Sequence, residues 1–474
     1  LSIQGGIALQ AKPQEENKMG VMPVNRLLLS MSVPIMISML VQALYNIVDS
    51  IFVAQLSEDA LNAVSLAFPM QNLMIAVATG TGVGMNAMLS KCLGERNFRR
   101  VNMTADNGVF LAACSFVVFA LLGLLVSRPF FLAQTDIPAI VDGGTTYLRI
   151  CLMCSFGIFG QICFERLLQA TGRTIYTMIT QGTGAIINII FDPLFIFGIG
   201  PFPRMGVAGA AVATVLGQIV AFILAAFINH KKNPDVQLSL KGFRPNGITI
   251  ARIYSVGVPS IIMAAIASVM TFGMNKILIS FTATATAVFG IYFKLQSFAF
   301  MPVFGMNNGM VPIIAYNFGA CKPSRMKRTL QLAICYAMGI MLLCFVVVQF
   351  MPETLLRCFN ASDNMLNIGV PALRIISLNF TVAGFNVICS SFYQALGHGM
   401  LSLWVSVARQ LFVLLPVAWL LSRLGELSLV WWAFPISEAF SLMLCIIFLH
   451  YAIKKEIHPL EQAAARRAQE AEQA

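Results

Sequence analysis

Apolar residues run through this chain in long stretches, with the polar ones gathered into short breaks between them. Reading from break to break gives twelve stretches, roughly 28–54, 60–90, 106–127, 143–164, 174–198, 207–229, 254–281, 286–316, 330–350, 368–396, 400–422 and 429–452. Each is close to or above the ~20 residues that carry a helix across a bilayer. The pattern predicts an all-α polytopic membrane protein with twelve transmembrane helices. Composition agrees, with 58% hydrophobic and only 11% charged residues, against about 25% charged in a soluble domain.

The net charge of +11 raises the question of a nucleic-acid partner. The positions of the basic residues answer it. They collect in alternate breaks: "KCLGERNFRR", "ERLLQATGR", "HKKNPDVQLSLKGFRPNGITIAR", "KPSRMKR" and the tail starting "KKE". The intervening breaks, "SEDA", "PFPR", "TATATA" and "SRLGE", are nearly free of them. With about 22 basic residues on one side and about four on the other, the positive-inside rule puts both termini in the cytoplasm. The excess charge thus records topology in a lipid bilayer, and no nucleic-acid partner is expected. The opening "LSIQGGIALQAKPQEENK" is polar, without the apolar core of a signal peptide. Most of the eleven cysteines fall inside the apolar stretches without metal or redox spacing, so they read as reduced packing residues. His230, His398, His450 and His458 are too dispersed for a metal centre.

The chain repeats itself. At an offset of 225, Pro34 pairs with Pro259, Gln71 with Gln296, Gly84 with Gly309, Gly94 with Gly319 and Arg100 with Arg325; "LRI" at 148–150 pairs with "LRI" at 373–375, and "QATG" at 169–172 with "QALG" at 394–397. Six helices separate the copies, an even number, so both have the same orientation in the membrane. This is a parallel repeat about an axis along the membrane normal, an arrangement that points to two lobes, a cleft and transport by rocking. The expected organisation is a cytoplasmic tail 1–25, a first lobe 26–229, a cytoplasmic linker 230–252, a second lobe 253–453 and a cytoplasmic tail 454–474.

Acids inside the apolar stretches carry the chemistry, because a carboxylate at mid-membrane costs a few kcal/mol even on lenient scales. Three stand out: Asp49, Asp192 and Glu438. One turn and two turns before Asp49 lie Tyr45, Asn46 and Gln42, a polar stripe on an oily helix; one turn before Asp192 lies Asn188. Thr214, in the small-residue run "GVAGAAVATVLG", adds an oxygen if the sixth helix packs beside the first and fifth. These oxygens suit a small cation, or a carboxyl pair whose burial and mutual repulsion let protons bind and leave. The plainer alternative is that the acids cross-link helices. Against it, Met274 and Val417 occupy the repeat-equivalent positions, so the scaffold stands without the acids in the second half.

Pro34 and Pro193 remove hydrogen bonds to the carbonyls of Ser30 and Ile189, so both helices can bend near the polar cluster, or be statically kinked there. Gln42, Asn46 and Gln71 in the first half, with Asn275, Lys294 and Gln296 in the second, are candidates for the substrate cleft. Lys276, Asn307, Asn308, Asn379, Asn386 and Arg409 are further intramembrane polar groups. Snorkelling to an interface is the alternative for Lys294, and a structural ion pair is the favoured reading for Arg409 with Glu438.

The segments "SVPIMISMLVQALYNIVDSIFVAQL", "NIIFDPLFIFG", "GVAGAAVAT", "LLQATGR" and "IIAYNFGA" resemble the MATE family of multidrug and toxic compound extrusion transporters, especially its bacterial MepA-like and DinF-like branch, over about residues 20–455. The resemblance implies two six-helix bundles in a V, and export of small amphipathic, mostly cationic drugs by antiport with H⁺ or Na⁺ across the bacterial cytoplasmic membrane. It implies a cation site at Asp49, Asn188, Asp192 and Thr214 with Tyr45 beside it. The second half lacks the extra carboxylates that some members use for sodium, which favours coupling through the first lobe. No cofactor is expected beyond the coupling ion, and a monomer is expected.

The nearest rival is a lipid or lipid-linked oligosaccharide flippase on a related two-lobe scaffold, whose cleft needs many Arg and Lys for phosphates; few are available here. A sugar-type facilitator fits less well, since "LGERNFRR" only faintly echoes its signature. An enzyme would need a nucleophile with a base, a metal set or a cofactor loop, and none is present in the sequence.

Overall fold

The computed structural model describes residues 16–239, 242–359 and 361–473; the rest of the expected amino-terminal tail, linker positions 240 and 241 and the last tail position lie outside the described residues. Among the described residues every regular element is helical. Twelve spans follow in order: α1 Val24–Ala54, α2 Glu58–Gly94, α3 Phe98–Leu125, α4 Pro138–Met153 continued by Phe156–Ala170, α5 Thr174–Phe197, α6 Val207–Lys232, α7 Gly247–Ile279, α8 Ala283–Gly319, α9 Pro323–Phe350, α10 Asp363–Ala395, α11 Gly399–Ser422 and α12 Leu427–Arg466. Eleven are long and apolar enough to cross a membrane as they stand, and α4 does so as a pair bent by 43°. Large apolar side chains such as Leu125, Phe272 and Phe412 are more than half exposed. In a multi-pass membrane protein that belt is the lipid face.

The helices overrun the apolar stretches that announced them. α3 begins at Phe98, α9 at Pro323, and α12 continues to Arg466. An apolar stretch marks where lipid begins, whereas a helix goes on while its backbone bonds are satisfied. Two sequence expectations change for this reason. The linker, expected at 230–252, shrinks to 233–246 between α6 and α7. It lies against α3, with Gln237 N donating to Asn102 Oδ1 at 2.8 Å and Asn246 N to Asn107 Oδ1 at 2.9 Å. The stretch from Glu165 to Ala170, expected in a loop, is the last turn and a half of α4.

The repeat is built into the packing. Ser57 and Thr282, 225 apart, cap α2 and α8 by accepting from Ala60 N and Ala285 N, each at 3.0 Å. The lobes meet through glycines. A Cβ on Gly94 would lie 2.0 Å from the Tyr316 carbonyl oxygen, and one on Gly319 2.1 Å from that of Lys91. Gly80 against Ile261 and Gly305 against Met36 form a second repeat-related pair, as do Gly84 against Ile253 and Gly257, and Gly309 against Ser32. Only a residue without a side chain lets two backbones cross this closely. All these crossings lie toward the end of the bundle that carries the basic loops and the described parts of both terminal tails, where the lobes are closed on one another.

A short segment ahead of α1 seals that end. Asn17 Nδ2 donates to the Thr171 carbonyl of the first lobe at 3.0 Å, while Met19 O accepts from Asn317 Nδ2 and Arg325 of the second at 3.0 and 3.1 Å. Glu16 pairs with Lys322 and lies 3.8 Å from Arg96.

Candidate functional site

α1, α2, α4, α5 and α6 line a cavity of about 190 Å³ in the first lobe, which Asn308 of α8 reaches from the second. Gln42 and Tyr45 face it from α1, Gln161, Glu165 and Arg166 from α4, Gln181 and Asn188 from α5, and Thr214 from α6. Asp49 and Asp192 stand one turn beyond Tyr45 and Asn188. Their carboxyls face one another across the α1–α5 interface, and Oδ1 of each is buried without a partner.

The Asn188 amide links this pair to α6. With its nitrogen turned to Asp192 it donates to Oδ2 at 3.2 Å, and its oxygen accepts from Thr214 N at 3.3 Å and Thr214 Oγ1 at 3.2 Å. The backbones come close because Gly184 and Gly217 are in mutual contact; a Cβ on Gly217 would lie 2.6 Å from the Gly184 carbonyl oxygen. Asp49, Asn188, Asp192, Thr214 and Tyr45, named from three separate stretches of sequence, thus form one cluster.

Glu165 was hidden from the sequence reading. It is 2% exposed at the wall of the cavity and accepts from Gln181 Nε2 at 2.8 Å, Thr180 Oγ1 at 2.9 Å and Gln161 Nε2 at 3.0 Å. Its hydropathic surroundings, "ERLLQATGR", look like a loop. The available signal was spacing: Gln161, Glu165 and Gln169 recur once per turn, as on one helical face. Beside it, the half-buried Arg166 crosses to the other lobe, donating to Asn308 Oδ1 of α8 at 2.9 Å.

The remaining candidates scatter. Asn46 is exposed and off the cavity wall, and Gln71 Nε2 donates to Tyr147 Oη at 3.3 Å. Gln296, Asn307, Asn386 and Arg409 line a second cavity of about 610 Å³, mostly in the second lobe, which shares Thr79 of α2 with the first. There Glu438 accepts from Arg409 at 3.1 Å and from Asn386 at 2.6 Å, a closed ion pair in place of the first lobe's facing acids. Asn379 donates to Tyr292 Oη at 3.4 Å. Asn275 and Lys294 line neither cavity; Lys294 Nζ instead lies 5.9 Å from the Phe359 ring, in the connection at the end opposite the termini, and Lys276 is exposed near Phe272.

Pro34 and Pro193 sit inside α1 and α5. Thr174 Oγ1 supplies the Ser30 carbonyl, deprived of its helical donor by Pro34, with a hydrogen bond of 3.4 Å. The carbonyl freed by Pro34 is therefore satisfied from α5.

Two repeated six-helix lobes, closed at one end and carrying a buried polar cavity, define a membrane transporter. Profile comparison places it further: the MatE family matches residues 34–194 and 259–420, two copies that begin 225 residues apart, and the chain belongs to that family. An FAD transporter of Shewanella oneidensis is 26% identical over 94% of this chain and 97% of its own length. The multidrug export protein MepA of Staphylococcus haemolyticus is 26% identical over 90% of this chain and 93% of its own. Among solved structures, the outward-facing conformation of a multidrug resistance MATE family transporter of the MOP superfamily superposes with a TM-score of 0.87 at 24% identity, covering 95% of this chain and all of the other, a likeness of fold.

Proposed function

We propose that this protein exports small amphipathic, mostly cationic molecules across a bacterial cytoplasmic membrane, driven by H⁺ or Na⁺ entering through the first lobe. The observation that carries the proposal is the Asp49–Asp192 pair, two facing carboxyls with an unpartnered oxygen each, joined by Asn188 to Thr214. Facing carboxylates repel, and a shared proton or a small cation between them relieves the repulsion. The name and similarity of MepA support the substrate class. Both termini are cytoplasmic on this reading, since the basic loops share their end of the bundle, and the protein works as a monomer.

In the proposed cycle the protein, closed at its cytoplasmic end, takes up the ion at Asp49 and Asp192. The changed charge and hydrogen bonding draw α1 and α5 together, and affinity for the drug falls. Ion and drug need share no atoms, only the conformational equilibrium that both bias. Efflux of ethidium from cells expressing wild type, Asp49→Asn or Asp192→Asn, with surface expression checked, tests this. Export by wild type and its loss in either variant is expected; full export by both variants refutes the ion site.

A second reading is export of a flavin dinucleotide. The Shewanella FAD transporter is as similar as MepA, and Arg166 gives the first cavity a guanidinium for an anionic substrate. Extracellular flavin that rises with expression while dye efflux does not would favour it.

A further inference from the structure

The repeat makes two equivalent clefts between the lobes at the terminus-bearing end, and the described residues fill only one. In the filled cleft, residues 16–22 press against the turn at Gly172, where a Cβ would meet Lys18 Cε at 3.1 Å and Met19 Cγ at 3.4 Å. What they present to the basic residues there is acceptor oxygen. Glu16 takes Lys322, and the carbonyls of Met19 and Met22 take Arg325 at 3.1 and 2.7 Å.

Adding or subtracting 225 maps Gly172 to Gly397 and Arg325 to Arg100. Around these lies the second cleft, a cavity of about 490 Å³. Among the described residues nothing lies within 4 Å of a Cβ on Gly397. Of the linker positions that correspond to the plugging segment, Asn246 instead bonds Asn107 of α3, and the linker just ahead of them is tied to α3 through Gln237 and Ser239. Lys91, Arg100 and Arg252 line the cavity with Glu95 as its one acid, and Glu95 is engaged by Arg100 at 3.4 Å. Among the described residues neither Lys91 nor Arg252 is ion-paired; Lys91 rests on the Phe318 ring, 4.5 Å from its centroid. Met88, Val256 and Leu396 make the rest of the wall apolar.

From this we infer that the open cleft is a binding site for the phosphate group of an amphiphile, held by Lys91, Arg100 and Arg252 with its apolar part on Met88, Val256 and Leu396. The phosphate takes the role that Glu16 and two carbonyls play in the filled cleft. Because the ligand bridges α2 and α3 of one lobe to α7 of the other, it favours the closed terminus-bearing end.

The test is native mass spectrometry of the whole protein released from detergent, with phosphatidylglycerol, phosphatidylcholine or inorganic pyrophosphate added. Wild type is compared with Lys91→Gln/Arg252→Gln and with Ser255→Phe, which fills the cavity and keeps its charges. Retention of phosphatidylglycerol by wild type, weakened about tenfold or more for each cationic side chain neutralised and reduced in Ser255→Phe, is expected. Displacement of that lipid by pyrophosphate assigns the site to soluble phosphorylated molecules; resistance to displacement assigns it to lipid. Equal retention of phosphatidylglycerol by wild type and both variants, or no phosphate ligand on wild type, overturns the inference.

Discussion

Gly94→Ala tests how the two lobes close. The new Cβ falls 2.0 Å from the Tyr316 carbonyl oxygen and 2.9 Å from both Ala320 N and Tyr316 C, backbone atoms on the far side of the lobe interface. An ordinary contact lies beyond 3.4 Å, so α2 and α8 must part by roughly 1 Å or more. Overpacking of this kind costs about 1–3 kcal/mol. The crossing exists only while the terminus-bearing end is closed, so the cost falls on that conformation and lowers its population about 5- to 150-fold relative to the open one. Spin labels at Arg99→Cys and Ser324→Cys, a repeat-related pair of exposed sites on opposite lobes, placed in a background without the native cysteines, report the separation by pulsed electron paramagnetic resonance. The Gly94→Ala distribution should move to longer distances. Gly339→Ala, with nothing within 4 Å of its Cβ, should leave it in place. An unchanged distribution in a folded Gly94→Ala protein would show that glycine contact does not hold this end shut.

Three further outcomes rest on other parts of the molecule. Glu438→Ala leaves Arg409 in the second lobe without its carboxylate, and removing one partner of a buried pair costs about 3–5 kcal/mol; thermal unfolding in detergent should fall sharply, while Glu438→Gln keeps an acceptor for Asn386 and falls less. Thr174→Val strips the Ser30 carbonyl, freed by Pro34, of its donor, a loss of about 1–3 kcal/mol, and Pro34→Ala, which ends the need for that donor, should restore stability; a Thr174→Val protein as stable as wild type removes the proposed support. Glu16 is held below its ordinary value of 4.5, first by the hydrogen bond from Lys322 and then by the charges of Lys322, Arg96 and Arg325. A carboxyl lowered in the folded state stabilises above its unfolded value and loses that contribution as pH falls through the folded one. The stability difference between wild type and Glu16→Gln should therefore be constant at neutral pH and shrink once pH drops below about 4.5; a difference that grows on acidification contradicts the sign.

Sequence alone determined what depends on one-dimensional pattern. Bilayer thickness sets the length of an apolar stretch, so twelve spans were countable. Gene-scale duplication leaves a constant offset, so both lobes and their common orientation were readable, down to Gly94 and Gly319. Isolated acids in oil are costly, so Asp49 and Asp192 stood out, and helical spacing attached Tyr45 and Asn188 to them. Pattern failed where helix and hydrophobicity part company. α4 continues past its apolar stretch, so Glu165 and Arg166 looked like loop residues until packing buried Glu165 against α5 and tied Arg166 to α8.

Only the tertiary structure decided which polar groups meet. Gln42 and Gln71 were equal candidates, yet one faces the cavity and the other turns to Tyr147, because neighbouring helices, and not the residue's own helix, determine which side of it is open. The asymmetry of the two clefts was equally invisible. The repeat predicts two like clefts, and only the path of the chain in space fills one with residues 16–22 and leaves the other lined by cations. Residues hundreds of positions apart are brought together by packing, and no local pattern records it.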